Sequence, residues 1–234
     1  MLTIVLLPGM DGTGDLFAPI IEALGGEFAI FTVRYPTQEP LNYLELEAIA
    51  RDALPVAGEF ILLGESFSGP IAISIAASPP PGLVGIILCC TFARSPVPAL
   101  RAIGTLASAL PIKLVPAALM SHVLLGRHAT AILRSALTTS IATIAGRVLQ
   151  ARLRAVLTVD VSAKLRTVEL PLLYLQASQD RVVPSSAGDH ITELYPATQL
   201  IKLDGPHCLL QAAAEDSAKA ISAFVRRSAR SSSM

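Results

Sequence analysis

Ser66 sits in the run Phe60–Pro70, F-I-L-L-G-E-S-F-S-G-P, where an apolar stretch ends among small residues. Such a serine is either a turn residue or a nucleophile. The pattern strand, G-x-S-x-S-G, helix describes a sharp turn that holds a hydroxyl exposed above a sheet edge in strained backbone. A serine hydroxyl at its free pKa attacks poorly, so it needs a base, and the base needs a carboxylate to orient it. Four histidines are available. His122, His128 and His190 fall within helical stretches and read as ordinary packed or surface residues. His207, in L-D-G-P-H-C, follows a short strand pattern and opens the last helix, which puts it on the same sheet edge as Ser66. Asp180, in Q-A-S-Q-D-R-V-V-P, directly follows another strand pattern and is the candidate orienting acid, with Asp160 as the alternative. Asp204 lies three residues before His207 and reads as a local turn residue.

Attack at an acyl carbon also needs donors for the oxyanion that develops. The residue after the nucleophile supplies one, the backbone N–H of Phe67. The loop P-G-M-D-G-T-G after the first strand pattern supplies the other, at Met10. Its glycines permit unusual backbone angles. A phosphate-binding loop is the rival reading, but neither G-x-G-x-x-G nor a following G-K-[ST] occurs there. Asp11 either orients this loop or meets a polar substrate group. Phe17, Phe92 and Leu209 are candidate pocket walls, with core packing as the equal alternative. The sequence has no H-E-x-x-H and no paired Cys motif, so neither a metal nor a cofactor is expected.

These residues must be positioned by a sheet. Strands are predicted over Leu2–Leu7, Phe28–Tyr35, Phe60–Gly64, Val84–Cys90, Leu172–Gln176 and Gln199–Leu203. Helices are predicted over Leu41–Ala57, Ser68–Ala77, Ser185–Tyr195 and Cys208–Arg227. Near-continuous apolar strands separated by helices imply an α/β fold, with a six-stranded parallel sheet covered by helices on both faces. Residues 91–166 hold no good strand and read as several helices forming a lid over the carboxyl edge. Residues 1–90 and 167–234 then form the core.

Composition limits the partners. Lys+Arg and Asp+Glu are both 18 among 234 residues, so the formal net charge is zero, and charged residues make up only 15 %. No basic stripe argues for nucleic acid. A small apolar molecule is the expected partner. The three cysteines are odd in number, and Cys89 and Cys90 are adjacent in an apolar run, which argues against a disulfide framework and for a cytoplasmic setting. The start M-L-T-I-V-L-L-P-G has no basic region before its apolar run, so no signal peptide is expected. The most lipophilic stretch, residues 102–126, is broken by Pro111, Lys113 and Pro116, whereas a membrane span needs roughly 20 unbroken apolar residues. The apolar excess allows a monomer or a homodimer.

Taken together, L-L-P-G-M-D-G-T-G, G-E-S-F-S-G, Q-D-R-V-V-P and G-P-H-C resemble the oxyanion loop, nucleophile elbow, acid loop and histidine loop of the α/β-hydrolases. The resemblance covers nearly the whole chain, and the order Ser, Asp, His is the family's. It implies a carboxylesterase-like serine hydrolase in a short form that lacks the first two of the family's eight strands. Ser68 stands where the family usually has Gly, and Pro8 where many members have His; neither change removes a catalytic group. Epoxide hydrolases and haloalkane dehalogenases of this fold carry Asp at the elbow, so Ser66 counts against both. The expected substrate is a carboxylic ester with a small to medium apolar acyl or alcohol group. A thioesterase or acyltransferase of the same fold is the alternative, and a non-catalytic ligand-binding module is the third reading.

Overall fold

The computed structural model describes residues 2–97 and 115–231. Six parallel strands form one sheet in the order β2-β1-β3-β4-β5-β6: β1 (Thr3–Leu7), β2 (Ala29–Thr32), β3 (Phe60–Glu65), β4 (Leu83–Cys89), β5 (Leu172–Ala177) and β6 (Gln199–Leu203). Every residue of β3 and β5 is buried, as strands covered on both faces require. The edge strand β2 ends before the predicted Tyr35 because the chain there leaves the sheet. The Val33 N–H still reaches the Leu6 carbonyl, but the Tyr35 N–H donates 2.8 Å to the carbonyl of Gly12 in the loop after β1.

Helices α1 (Ala18–Ala23), α2 (Tyr43–Asp52), α3 (Gly69–Ala77), α8 (Ser185–Leu194), α9 (Leu209–Ala212) and α10 (Ala214–Ser231) flank the sheet. Helix α1 was not predicted. It is short, with Pro19 in its first turn, and follows a single 3₁₀ turn at Asp15–Phe17. Asn42 starts α2 later than predicted by accepting from the Leu44 and Glu45 N–H groups, while Glu45 accepts from the Asn42 N–H in return. The predicted last helix is broken into α9 and α10, because Ala213 leaves helical geometry at φ −127° and ψ 48°.

Two buried clusters lie on opposite faces of the sheet. One packs Val5, Leu62, Leu88 and Tyr174 beneath α2, α3 and α8. The other packs Ile4, Leu63, Ile87 and Leu175 beneath α1, α9 and α10. Between β4 and β5 run α4 (Ala117–Leu124), α5 (Ala131–Ala142), α6 (Gly146–Thr158) and α7 (Ser162–Leu165). Part of the predicted lid, residues 98–114, and with it most of the lipophilic stretch 102–126, lies outside the described residues. Arg94 and Asp160 form a single β-bridge where this segment leaves and rejoins the core. No helix among the described residues is long and apolar enough to cross a membrane.

Candidate active site

Strand β3 ends at Glu65, and Ser66 takes φ 47°, a left-handed conformation that costs a serine backbone energy. Such a value persists only where its surroundings over-determine it, and here they do. Thr91, just past β4, donates its hydroxyl to the Ser66 carbonyl, and the Gly69 N–H donates to the same oxygen. Gly69 is required for this approach. A Cβ added there would come within 2.0 Å of the Thr91 hydroxyl. Thr91 is itself held by Tyr174 of β5, whose hydroxyl donates 2.8 Å to the Thr91 carbonyl.

The next residue that could tighten the turn, Ser68, is fully buried and donates to the Pro8 carbonyl at the end of β1. Since its only proton is used there, Ser68 accepts from the Tyr35 hydroxyl at 3.0 Å. The departure from glycine at this position thus joins the elbow to the loop after β1. Phe67 is buried, stacks on Tyr43 at 4.8 Å between ring centroids, and accepts a hydrogen bond from the Tyr43 hydroxyl at its carbonyl.

Three sequence-predicted residues meet at the sheet's carboxyl edge. Ser66 Oγ is 2.8 Å from His207 Nε2, and His207 Nδ1 is 2.8 Å from Asp180 Oδ2. The His207 and Asp180 side chains are each only 6 % exposed. The other Asp180 oxygen, Oδ1, accepts 2.8 Å bonds from the Val182 and Val183 N–H groups, which fix the carboxylate before it meets the ring. The other candidates lie elsewhere. Asp160 accepts from the Ser162 N–H, and His190 bonds the Ser162 hydroxyl. His122 contacts Arg181, His128 contacts Arg127, and Asp204 pairs with Arg127 at 2.7 Å.

A cavity of about 80 Å³ borders this chain of contacts, lined by Gly9, Met10, Glu65, Ser66, Leu137 and His207 among others. Among the described residues the Met10 N–H has no hydrogen-bond acceptor. Leu137 and Ile141 of α5 also line an adjoining apolar pocket of about 320 Å³ with Val115, Ala117 and Met120. Phe17 and Leu209 pack in the core face beneath α1 and α9, and Phe92 in the opposite cluster; none of the three lines this cavity. Asp11 does line it, but its Oδ2 accepts from the Thr13 N–H, the Thr13 hydroxyl and the Ser140 hydroxyl of α5.

Two polar residues beside the site have no role in the sequence reading: Glu65, which reads there as a neighbour of the nucleophile that points elsewhere, and Arg152. Glu65 is buried beside Ser66 and accepts 3.0 Å from Gln211. Burial pushes its carboxyl up to about 7, with Asp11 adding to the rise and Gln211, His207 and the Gly9 backbone opposing it. Arg152 of α6 is 1 % exposed and reaches the loop after β1. Nothing local distinguishes Glu65, which simply ends a strand, but Arg152 does carry a signal: it falls on the apolar stripe of α6, four residues from Val148 and from Val156, away from the face that Arg147 and Arg154 share. Among the described residues no three His, Cys, Asp or Glu side chains gather as a metal site would need.

A family model described as the alpha/beta hydrolase family matches residues 4–220. The chain belongs to that family. Among curated proteins no sequence matches. Among solved structures the chain is similar to an enol-lactonase from Burkholderia xenovorans LB400, at 18 % identity, 96 % and 91 % coverage of the two chains and TM-score 0.77. It is similar to an esterase from Rhodococcus sp. ECU1013 at 21 % identity, 96 % and 90 % coverage and TM-score 0.76. It is also similar to a bromoperoxidase from Bacillus anthracis at 15 % identity, 96 % and 91 % coverage and TM-score 0.83. At these identities the likeness is one of fold, and the α/β-hydrolase sheet carries all three names.

Proposed function

We propose that this member of the alpha/beta hydrolase family is a serine hydrolase that cleaves carboxylic esters with an apolar acyl or alcohol group. One observation carries the reading: the continuous contact from Asp180 through His207 to a Ser66 held at positive φ. Ser66 Oγ attacks the acyl carbon as His207 Nε2 takes its proton. Asp180 holds the ring in the tautomer that presents Nε2 to the serine and stabilises the imidazolium. The Met10 and Phe67 N–H groups receive the oxyanion. On collapse His207 returns the proton to the leaving alkoxide. Water, deprotonated by the same nitrogen, then releases the acid from the acyl-enzyme.

The apolar walls of the cavity and of its neighbour support the choice of substrate, and helices α4–α7, as a cap, supply Leu137, Ile141 and Met120 to them. An esterase and an enol-lactonase among the similar structures are consistent with ester cleavage. The test is hydrolysis of p-nitrophenyl esters from acetate to palmitate by wild type, Ser66→Ala and Asp180→Asn. Loss of turnover in Ser66→Ala and a fall of about 10⁴ in Asp180→Asn are expected. A wild type that a fluorophosphonate labels at Ser66 but that turns over no ester in the series would overturn the ester reading in favour of a thioesterase or acyltransferase.

A further inference from the structure

Arg152 is a buried cation whose hydrogen bonds go to backbone carbonyls of the core. Its Nη1 donates 2.8 Å to the Met10 carbonyl and 2.8 Å to the Asp11 carbonyl, and its Nη2 donates 3.0 Å to the Pro36 carbonyl. The guanidinium lies 5.9 Å from the Tyr35 ring centroid and 6.0 Å from that of Phe67. Gly12, at φ 70°, leaves the space it fills, since a Cβ there would meet Arg152 Nη1 at 2.5 Å. A charge placed at such cost on a helix between β4 and β5, against the loop after β1, calls for a role.

The connectivity supplies one. The Asp11 carbonyl that receives Arg152 belongs to the same peptide group as the Gly12 N–H. That N–H donates 3.0 Å to the Gly9 carbonyl. The Gly9 carbonyl belongs to the same peptide group as the Met10 N–H, which borders the cavity beside Ser66. A hydrogen bond to a carbonyl oxygen draws electron density from the amide and makes its N–H a stronger donor, and the effect is passed along a hydrogen-bonded chain. A cation at the head of that chain polarises more strongly than a neutral donor. The Phe67 N–H is treated in a parallel way, because the carbonyl of its peptide group is the Ser66 oxygen that accepts from Thr91 and Gly69.

We infer that Arg152 is a positioning residue for the reaction at Ser66, polarising the Met10 N–H through the relay Arg152, Asp11 carbonyl, Gly12 N–H, Gly9 carbonyl. This rests on Met10 being an oxyanion donor as described above. The relay strengthens the donor most when its acceptor is charged, so it acts on the transition state more than on the bound ester. The Asp11 carboxylate accepts from Thr13 and Ser140 and from no group of the relay.

The test uses the full chain, with p-nitrophenyl butyrate as substrate. Ser66→Ala is assayed first: retained turnover there defeats the serine-hydrolase reading itself and is distinct from any result at Arg152. With that control inactive, Arg152→Met should lower kcat about tenfold or more while KM stays within about twofold, and Arg152→Lys should recover part of the loss. The acyl-enzyme carbonyl band should move to higher wavenumber in Arg152→Met. An unchanged kcat, or a fall in kcat with the band unmoved, overturns the relay. Should neither variant fold, the wild type still decides. Adding phenylboronic acid, which forms an anionic adduct on Ser66, should move the amide proton signals of both Met10 and Gly12 downfield, although Gly12 does not line the cavity. A Gly12 signal that stays in place, or a Met10 signal that does not move, overturns the inference.

Discussion

Thr91 donates its hydroxyl to the Ser66 carbonyl, so a residue past β4 stabilises the one strained peptide at the end of β3. The fit depends on Gly69, one turn of chain beyond the serine. Gly69→Ala is therefore expected to destabilise the fold by about 1–3 kcal/mol through overpacking. Thr91→Ala removes the clashing hydroxyl, so the double variant should be more stable than the sum of the two single losses. Thermal unfolding of the four proteins checks this; strict additivity would show that the two side chains do not compete for one space.

Ser68→Ala tests the joint between elbow and loop. It leaves the buried Tyr35 hydroxyl and the Pro8 carbonyl each without the partner the serine provides. A loss of about 2–3 kcal/mol is expected in urea unfolding. Adding Tyr35→Phe takes away one orphaned group, so its cost should be smaller in the Ser68→Ala background than in wild type. Equal costs in both backgrounds would mean that the contact carries no stability.

Glu65 makes stability depend on pH. Its folded pKa is raised to about 7 from an ordinary 4.5, chiefly by burial. Between these values the folded protein holds a proton that the unfolded chain releases, so stability falls as pH rises through this window. Glu65→Gln removes the titration. Relative to wild type it should gain about 3 kcal/mol between pH 4.5 and pH 8, measured by urea unfolding at both ends. Parallel stability curves for the two proteins would refute the assignment.

Ile141 stands between the cavity at Ser66 and the apolar pocket beyond it. Ile141→Trp should leave kcat/KM for p-nitrophenyl acetate within about threefold and lower it more than about tenfold for the octanoate. If both esters respond alike, the second pocket does not receive the acyl chain.

Much of this could be read from the chain itself, for reasons that differ by residue. β1, β3, β4 and β5 are continuous apolar runs because both their faces are covered, and the turns after β3, β5 and the shorter β6 place Ser66, Asp180 and His207 in order along one edge. The resemblance to the α/β-hydrolases rested on those same turns. What escaped was set by contacts between distant segments. Arg152 interrupts the apolar stripe of Val148, Leu149 and Val156, which marks it as facing inward, but the partners that hold it there, the Met10, Asp11 and Pro36 carbonyls, lie more than a hundred residues away in the chain. Glu65 ends a strand that happens to be buried to its last residue. Phe17, Phe92 and Leu209 have the composition of pocket walls and of core alike, and the layers of helix around the sheet decided between them. The break at Ala213 leaves no trace in an alanine-rich run that favours helix throughout.

The anchoring of α6 also bears on how a substrate enters. Withdrawing the guanidinium would leave the Met10, Asp11 and Pro36 carbonyls without this donor, at a cost of about 1–3 kcal/mol for each one that stays buried. Among the described residues α6 is thus riveted to the loops at the sheet's carboxyl edge rather than hung on them. If the protein cleaves esters as proposed above, an α6 held in this way makes the cap work as a sieve does, by what passes, rather than as a door does, by when it opens.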